Sequence, residues 1–208
     1  MTIEPKFYMI QMSNNPTSVY YRDWVMKSWR KGSHKIHLYE AVTPETMSVQ
    51  KNRLEFGNKL SKGGVIDLKK LVGVEFTETE KAVWYSHFNL WNVCIQINKP
   101  IVIIEHDMKL DNRMGLQTQN FRETNAVGLG RTKSTELKRN VNLPCGCYYV
   151  TPYIASILSK RAKKEPIRIN VDGHVKKFLD SDKKNWCVDQ IIHEKVGTTI
   201  VHSKANMV

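Results

Sequence analysis

Apolar and polar positions along the chain follow two alternating periods, which predict strands and helices in turn. Phe7-Tyr-Met-Ile-Gln-Met12 is a nearly continuous apolar run of strand length, broken by Asn14, Asn15 and Pro16. From Ser18 to Lys31 the apolar residues Val19, Tyr20, Trp24, Val25 and Trp29 fit a helical stripe. Ile36 to Val42 predicts a second strand, and Thr43-Pro44 an N-cap and first-turn pair opening a helix toward Leu60. A β-α-β opening of this kind starts a parallel sheet.

The clearest helix begins at Thr77-Glu-Thr-Glu80, a capping box in which the Thr and the third-following Glu satisfy two backbone donors. It is predicted to run to Asn98, with Trp84, Phe88, Trp91 and Ile95 as one apolar stripe, of which Trp84, Phe88 and Trp91 are core, and Glu80, His87 and Cys94 on an adjoining face. Pro100 forces the end, because proline drives the preceding residue out of the α region. Ile101-Val-Ile-Ile104 is then all apolar and β-branched, the mark of a central strand buried on both faces. Ligands of open α/β sheets sit beyond the carboxyl ends of such strands, which singles out Glu105-His-Asp107.

Further on come a short strand at Ala126–Leu129, a basic loop holding Arg131, Lys133, Lys138 and Arg139, and a strand at Cys147–Val150. Thr151-Pro152 opens a helix over Tyr153–Lys163, whose last turn is crowded with Lys160, Arg161, Lys163 and Lys164, where the helix dipole favours cations. Ile169 to His174, a helical patch from Val175 to Leu179, and Val188 to Ile192 complete the chain. No repeat or linker interrupts it. The expectation is a single α/β domain over residues 1–208, with a central, mostly parallel sheet flanked by helices.

Composition sharpens this in three ways. With 208 residues, 41% of them hydrophobic, and five Trp, the chain can bury a sizeable core. The first residues lack a basic stretch followed by an apolar run, and no stretch approaches the roughly 18 apolar residues of a membrane span. A soluble, cytoplasmic protein that is not secreted and does not insert into membranes is expected. Cys94, Cys145, Cys147 and Cys187 do not have zinc-ligand spacing and read as reduced, buried thiols. A net charge of +12 fits a polyanionic partner: nucleic acid, an anionic glycolipid or a membrane surface.

Two carboxylates one residue apart at a strand end can reach a common divalent cation, and a hard Mg²⁺ or Mn²⁺ requires such oxygen donors. By spacing alone Glu105 and Asp107 are equally two solvated acids in a turn. His106 between them is a third candidate ligand, better suited to Mn²⁺ than to Mg²⁺, and alternation also allows it to point away.

Ala82-Val-Trp-Tyr-Ser-His87, then Leu90-Trp91, Pro100 and Ile101-Val-Ile-Ile-Glu-His-Asp107 resemble glycosyltransferase family 25, whose members carry an SHxxxW helix before an ILEDD strand. Met9-Ile-Gln-Met12 with Arg22 is similar to the family's opening VINLxxxxxR segment, and Glu40-Ala-Val42 to the AVDG after its second strand. Cys145 to Val150 and Pro166 to Asp172 resemble its GTHAYxIS and PxDxxVD segments. Departures are His106 for the middle acid and Gln11 for the family's asparagine. The resemblance implies a GT-A, Rossmann-like fold, a UDP-linked sugar donor, a divalent metal at the acidic motif and inversion at the anomeric carbon. It implies donor contacts from Gln11, Met12, Arg22, Val42, Ser86, His87 and Glu105 and a metal at Glu105 and Asp107, with His106 as the candidate third ligand; inversion needs a general base, for which Asp172 is the candidate, a loop-capping acid beside Gly173 being the alternative.

For the acceptor, the family suggests lipopolysaccharide or another cell-surface glycan. The dispersed basic residues, with Arg131, Lys133, Lys138 and Arg139 at their centre, instead favour a long polyanion. By analogy with the enzymes with which large phages glycosylate their own DNA, hydroxymethylated bases in DNA are the first expectation, placing the protein in a host cytoplasm. A metal-dependent nucleic-acid hydrolase and a non-catalytic nucleic-acid-binding protein are the alternatives from other classes.

Overall fold

A computed structural model describes residues 4–30, 35–58, 75–108, 126–128, 130–134, 139–142, 146–164, 166–168, 171 and 191–192. Strand β1 (Lys6–Gln11) leads into helix α1 (Pro16–Arg30) and strand β2 (Ile36–Glu40). The asparagines that close β1 also start α1: the Asn15 side chain accepts from the Thr17 and Ser18 amides at 3.0 and 3.1 Å, and Pro16 takes the first helical position, where its missing N–H costs nothing.

The helix expected from Thr43-Pro44 toward Leu60 is absent from the described part of that segment. Thr46 Oγ1 accepts the Thr43 amide at 2.9 Å, a single 3₁₀ turn spans Met47–Val49, and Gln50 is already extended. Two contacts hold the segment open against the next helix: Tyr85 Oη accepts the Leu54 amide at 2.8 Å, and Asn89 donates to Gln50 at 2.7 Å. Local helix signals were overridden by these tertiary bonds.

Helix α2 (Glu78–Ile97) carries the expected capping box on Thr77 and Glu80 and ends on Asn98 in the left-handed conformation. Its burial is wider than a stripe. Trp84, Tyr85, Ser86, His87 and Phe88 are all buried, whereas Ile95, at the far end of the apolar stripe, is exposed. The helix packs against both the sheet and α3 (Pro152–Lys164), so several of its faces are covered at once.

Strand β3 (Ile101–Glu105) pairs in parallel with β1 and antiparallel with β7 (Cys147–Val150), and β4 (Ala126–Gly128) pairs antiparallel with β7. The five-stranded order is β2-β1-β3-β7-β4, so four strands run one way and β7 against them. Odd-numbered residues of β3 pack with α2 and α3, and even-numbered ones with the α1 side, so both faces are buried as the apolar run predicted. The segment expected as a basic loop is a hairpin of β5 (Gly130–Ser134) and β6 (Arg139–Asn142), joined in a second sheet by β8 (Ile191–Ile192). Among the described residues no helix is long and apolar enough to cross a membrane.

Candidate active site

Because β2, β1 and β3 are parallel, their carboxyl ends meet at one edge of the sheet. The register places Gln11 opposite Glu40 and Ile10 opposite Glu105. Alternation turns Gln11 and Glu40 toward α1 and Glu105 toward α2.

On the α1 side the predicted Gln11, Met12 and Arg22 come together. Arg22 Nη1 donates to Gln11 Oε1 at 2.6 Å, and Gln11 Nε2 donates to Glu40 Oε2 at 3.2 Å. The Ser13 amide donates to the other Glu40 oxygen at 2.7 Å, and the Met12 amide to the buried Ser18 hydroxyl at 3.0 Å. Gln11 thus bridges an arginine and a carboxylate, using both ends of its amide, a role that suits an amide and no apolar residue.

On the α2 side two consecutive residues reach two different strand ends. Ser86 Oγ accepts the Val42 amide at 2.9 Å and donates to the Ala82 carbonyl at 3.1 Å, fixing the chain just after β2. His87 Nε2 stands 3.5 Å from Glu105 Oε1, and its Nδ1 lies 3.0 Å from Tyr148 Oη. Trp91 Nε1 donates to the same Tyr148 oxygen at 2.8 Å. The His87 and Tyr148 rings stack at 5.8 Å. His87 is buried at 1% exposure, whereas the Glu105 side chain retains 18%: the carboxylate faces the imidazole on one side and solvent on the other.

Strand β3 stops at Glu105. The Met108 amide donates to the Glu105 carbonyl at 3.0 Å, closing a turn over His106 and Asp107. The direction of Asp107 is therefore set by this turn rather than by the strand alternation assumed from sequence. Both oxygens of Asp107 are shielded from solvent, and His106 is half-buried. The Glu105 amide donates to the Gly146 carbonyl at 2.7 Å, and a Cβ on Gly146 would lie 2.7 Å from Met108 Sδ, so any larger residue there requires the Met108 side chain to shift. Burial, and secondarily the negative charge of Glu105, push the Cys147 thiol well above its usual range. Cys94 is likewise buried and free; Cys145 and Cys187 lie outside the described residues.

Among the described residues no three His, Cys, Asp or Glu side chains converge to enclose a metal ion. A closed, all-protein cage of the structural-zinc kind is thus not formed by them. Glu105, its side chain 18% exposed, has the openness of the other pattern, in which a hard cation takes one or two protein oxygens and fills its remaining positions with water and substrate phosphate, whereas the Asp107 oxygens are closed off from solvent.

The sequence model of glycosyltransferase family 25 (LPS biosynthesis protein) matches residues 5–143. The chain belongs to glycosyltransferase family 25. The matched span of this glycosyltransferase holds Gln11, Arg22, Ser86, His87, Glu105 and Asp107, and ends before Gly146 and Tyr148. Among solved structures, one titled as a glycosyltransferase involved in the glycosylation of the major capsid of PBCV-1 aligns with a TM-score of 0.42 and 9% identity, covering 89% of this chain and 82% of that one. No curated protein sequence matches.

Of the other predicted residues, Arg131 and Lys133 lie on β5 and Arg139 on β6, while Lys138, Asp172 and His174 fall outside the described residues. Sequence reasoning passed over Tyr148, Trp91 as a hydrogen-bond donor, and Gly146. One signal was available: a tyrosine in a strand buried on all sides must find a partner for its hydroxyl.

Proposed function

We propose that this glycosyltransferase moves a sugar from a nucleotide-sugar donor, UDP-linked, to a hydroxyl of a polyanionic acceptor, with a divalent ion held by Glu105 and Asp107. The observation that carries the reading is the pair of carboxylates at the carboxyl end of the central strand, beside the ends of β1 and β2, in a chain of family 25. When bound, Mn²⁺ or Mg²⁺ supplies neutralisation of the negative charge that builds on the departing diphosphate. Glu105 and Asp107 hold and orient that charge, with His106 as a further ligand. Gln11, Met12, Arg22, Val42, Ser86 and His87 shape the donor crevice, chiefly by fixing the three strand ends. Asp172 serves as the base that takes the proton of the acceptor hydroxyl, for attack opposite the leaving group and inversion.

The first acceptor reading is DNA carrying hydroxymethylated bases. Its support is electrostatic. Helices α2 and α3 pair antiparallel, as the Ser159–Asn92 hydrogen bond and Lys163 over the Phe88 ring show, so the exposed Lys160, Arg161, Lys163 and Lys164 end α3 toward the edge bearing Glu105. The hairpin with Arg131, Lys133 and Arg139 leaves β4 and returns to β7 at that edge, since Gly128 pairs with Tyr148 and Gly146 bonds Glu105. A net charge of +12 favours phosphate backbones, and a base would be turned out of the duplex to reach the donor. The family description favours a second reading, lipopolysaccharide, which is also anionic.

Mass spectrometry of hydroxymethylated DNA and of lipid-linked glycans, after incubation with a panel of UDP-sugars with and without Mn²⁺, decides between them. A sugar increment on one acceptor identifies it. Cleavage of DNA with no sugar transferred to either would replace the transferase reading with a hydrolase.

A further inference from the structure

Gln11 is held between two groups of opposite hydrogen-bonding character, which fixes both ends of its amide. Arg22 can only donate, so its Nη1 takes Gln11 Oε1 at 2.6 Å, and Gln11 Nε2 is left to donate to Glu40 Oε2 at 3.2 Å. Arg22 is itself braced by Asp23, whose Oδ1 lies 2.8 Å from Nε and 2.7 Å from Nη2. The other Glu40 oxygen takes the Ser13 amide at 2.7 Å. The end of β1 and the turn after it thus aim one carboxylate, and Glu40 is nonetheless exposed. Each of its oxygens accepts one of these bonds and has capacity for a second, so the end of β2 offers solvent two oriented acceptors.

We propose that Glu40 binds the vicinal 2′- and 3′-hydroxyls of the donor nucleotide's ribose and so selects ribonucleotides over deoxyribonucleotides; this rests on the donor-site reading above. Strand order gives the direction. β1 lies between β2 and β3, so the ends bearing Glu40 and Glu105 are about 10 Å apart at the usual strand spacing, a span that a nucleoside diphosphate covers. The two acids are turned to opposite faces, so the nucleotide crosses the edge over the end of β1. On the other flank of Glu105 the start of β7 is closed, because the Gly146 carbonyl takes the Glu105 amide and the buried Met108 packs against Gly146. With the diphosphate at Glu105, the nucleoside therefore extends toward β2. A carboxylate repels phosphate, which assigns Glu40 to the uncharged part of the donor. There the adjacent ribose hydroxyls supply two donors for two oxygens. The imide N–H of uracil supplies one, flanked by carbonyl oxygens that the second carboxylate oxygen would repel.

The test is calorimetry on the full chain with Mn²⁺ and, in turn, UDP, 2′-deoxy-UDP and 3′-deoxy-UDP. The wild type should bind UDP about tenfold more tightly than either deoxy analogue, as expected for the loss of one hydrogen bond to a charged group. Glu40→Ala should weaken UDP most and bring the three nucleotides to one affinity, with the thermal midpoint recorded alongside. Equal binding of all three by the wild type overturns the proposal and leaves the donor-site reading standing. A Glu40→Ala variant that loses the same factor for all three, and so keeps the preference, also overturns it, because Glu40 then only braces the strand ends or the metal. Wild-type protein that binds none of the three sinks the donor-site reading and the proposal with it. The first comparison uses the wild type alone, so it decides regardless of how well the variant folds.

Discussion

The Ser86 hydroxyl takes the Val42 amide proton at 2.9 Å, linking the middle of α2 to the chain just beyond β2, forty-four positions earlier in sequence. Its neighbour His87 reaches Glu105 on β3. The Ser-His pair is thus a clamp across two strand ends, and both of its members are buried.

Replacing Ser86 with Ala strands the buried Val42 amide. Leaving such a donor unsatisfied costs about 1–3 kcal/mol, and chemical denaturation should show a loss in that range. Donor affinity should fall with it, because the β2 end loses its anchor. Unchanged stability would mean that the Val42 amide finds another acceptor.

Asp107→Asn keeps the volume of the side chain and removes its charge. Sugar transfer should drop on the order of hundredfold or more, while the thermal midpoint holds or rises. Stripping divalent ions with a chelator should have the same effect on the wild type and add little to the variant. Full turnover in the variant would reject a metal role for Asp107.

Gly146→Ala places a methyl group 2.7 Å from Met108 Sδ, in a turn that also carries Asp107. Overpacking of this kind costs about 1–3 kcal/mol. Shortening Met108 to Ala in the same chain should recover part of the loss, so that the two changes together cost less than their sum in a denaturation cycle.

The buried thiols make a prediction about pH. Burial pushes Cys94 from 9.0 to about 12, so the folded state holds this proton more tightly than the unfolded chain. Its contribution to stability is complete below the unfolded value of 9.0 and is lost as pH rises toward about 12. Urea midpoints should therefore fall across that alkaline range, less steeply in Cys94→Ala. At neutral pH, peptide mapping after alkylation should find Cys94 and Cys147 unmodified until the protein unfolds.

Much of the architecture was legible wherever a local signal and the tertiary environment agreed. The Thr77–Glu80 box, the Pro100 stop and the Ile101–Ile104 run each have a cause contained within a few residues, and each stands where expected. Thr43-Pro44 shows the opposite case, since Tyr85 and Asn89, distant in sequence, hold that segment extended. Ile95 shares the apolar stripe yet is exposed, because a helical stripe says which face is apolar but not how far the neighbouring elements extend over it. The acidic pair was legible by position; its surroundings were not. That Tyr148 and Trp91 stand behind His87 depends on β7 running against β3, and strand direction leaves no periodic trace in the sequence.

The pairing of β4 with β7 uncouples the hairpin from the main sheet. The two strands are neighbours in the main sheet, and the β5–β6 hairpin is threaded between them in sequence, rooted at both ends on the edge that carries Glu105. Such an insert can lengthen, shorten or change its charges while Ala126 to Gly128 stay in register with Tyr148 to Val150. The excursion can therefore change without moving the strand ends that carry Gln11, Glu40 and Glu105.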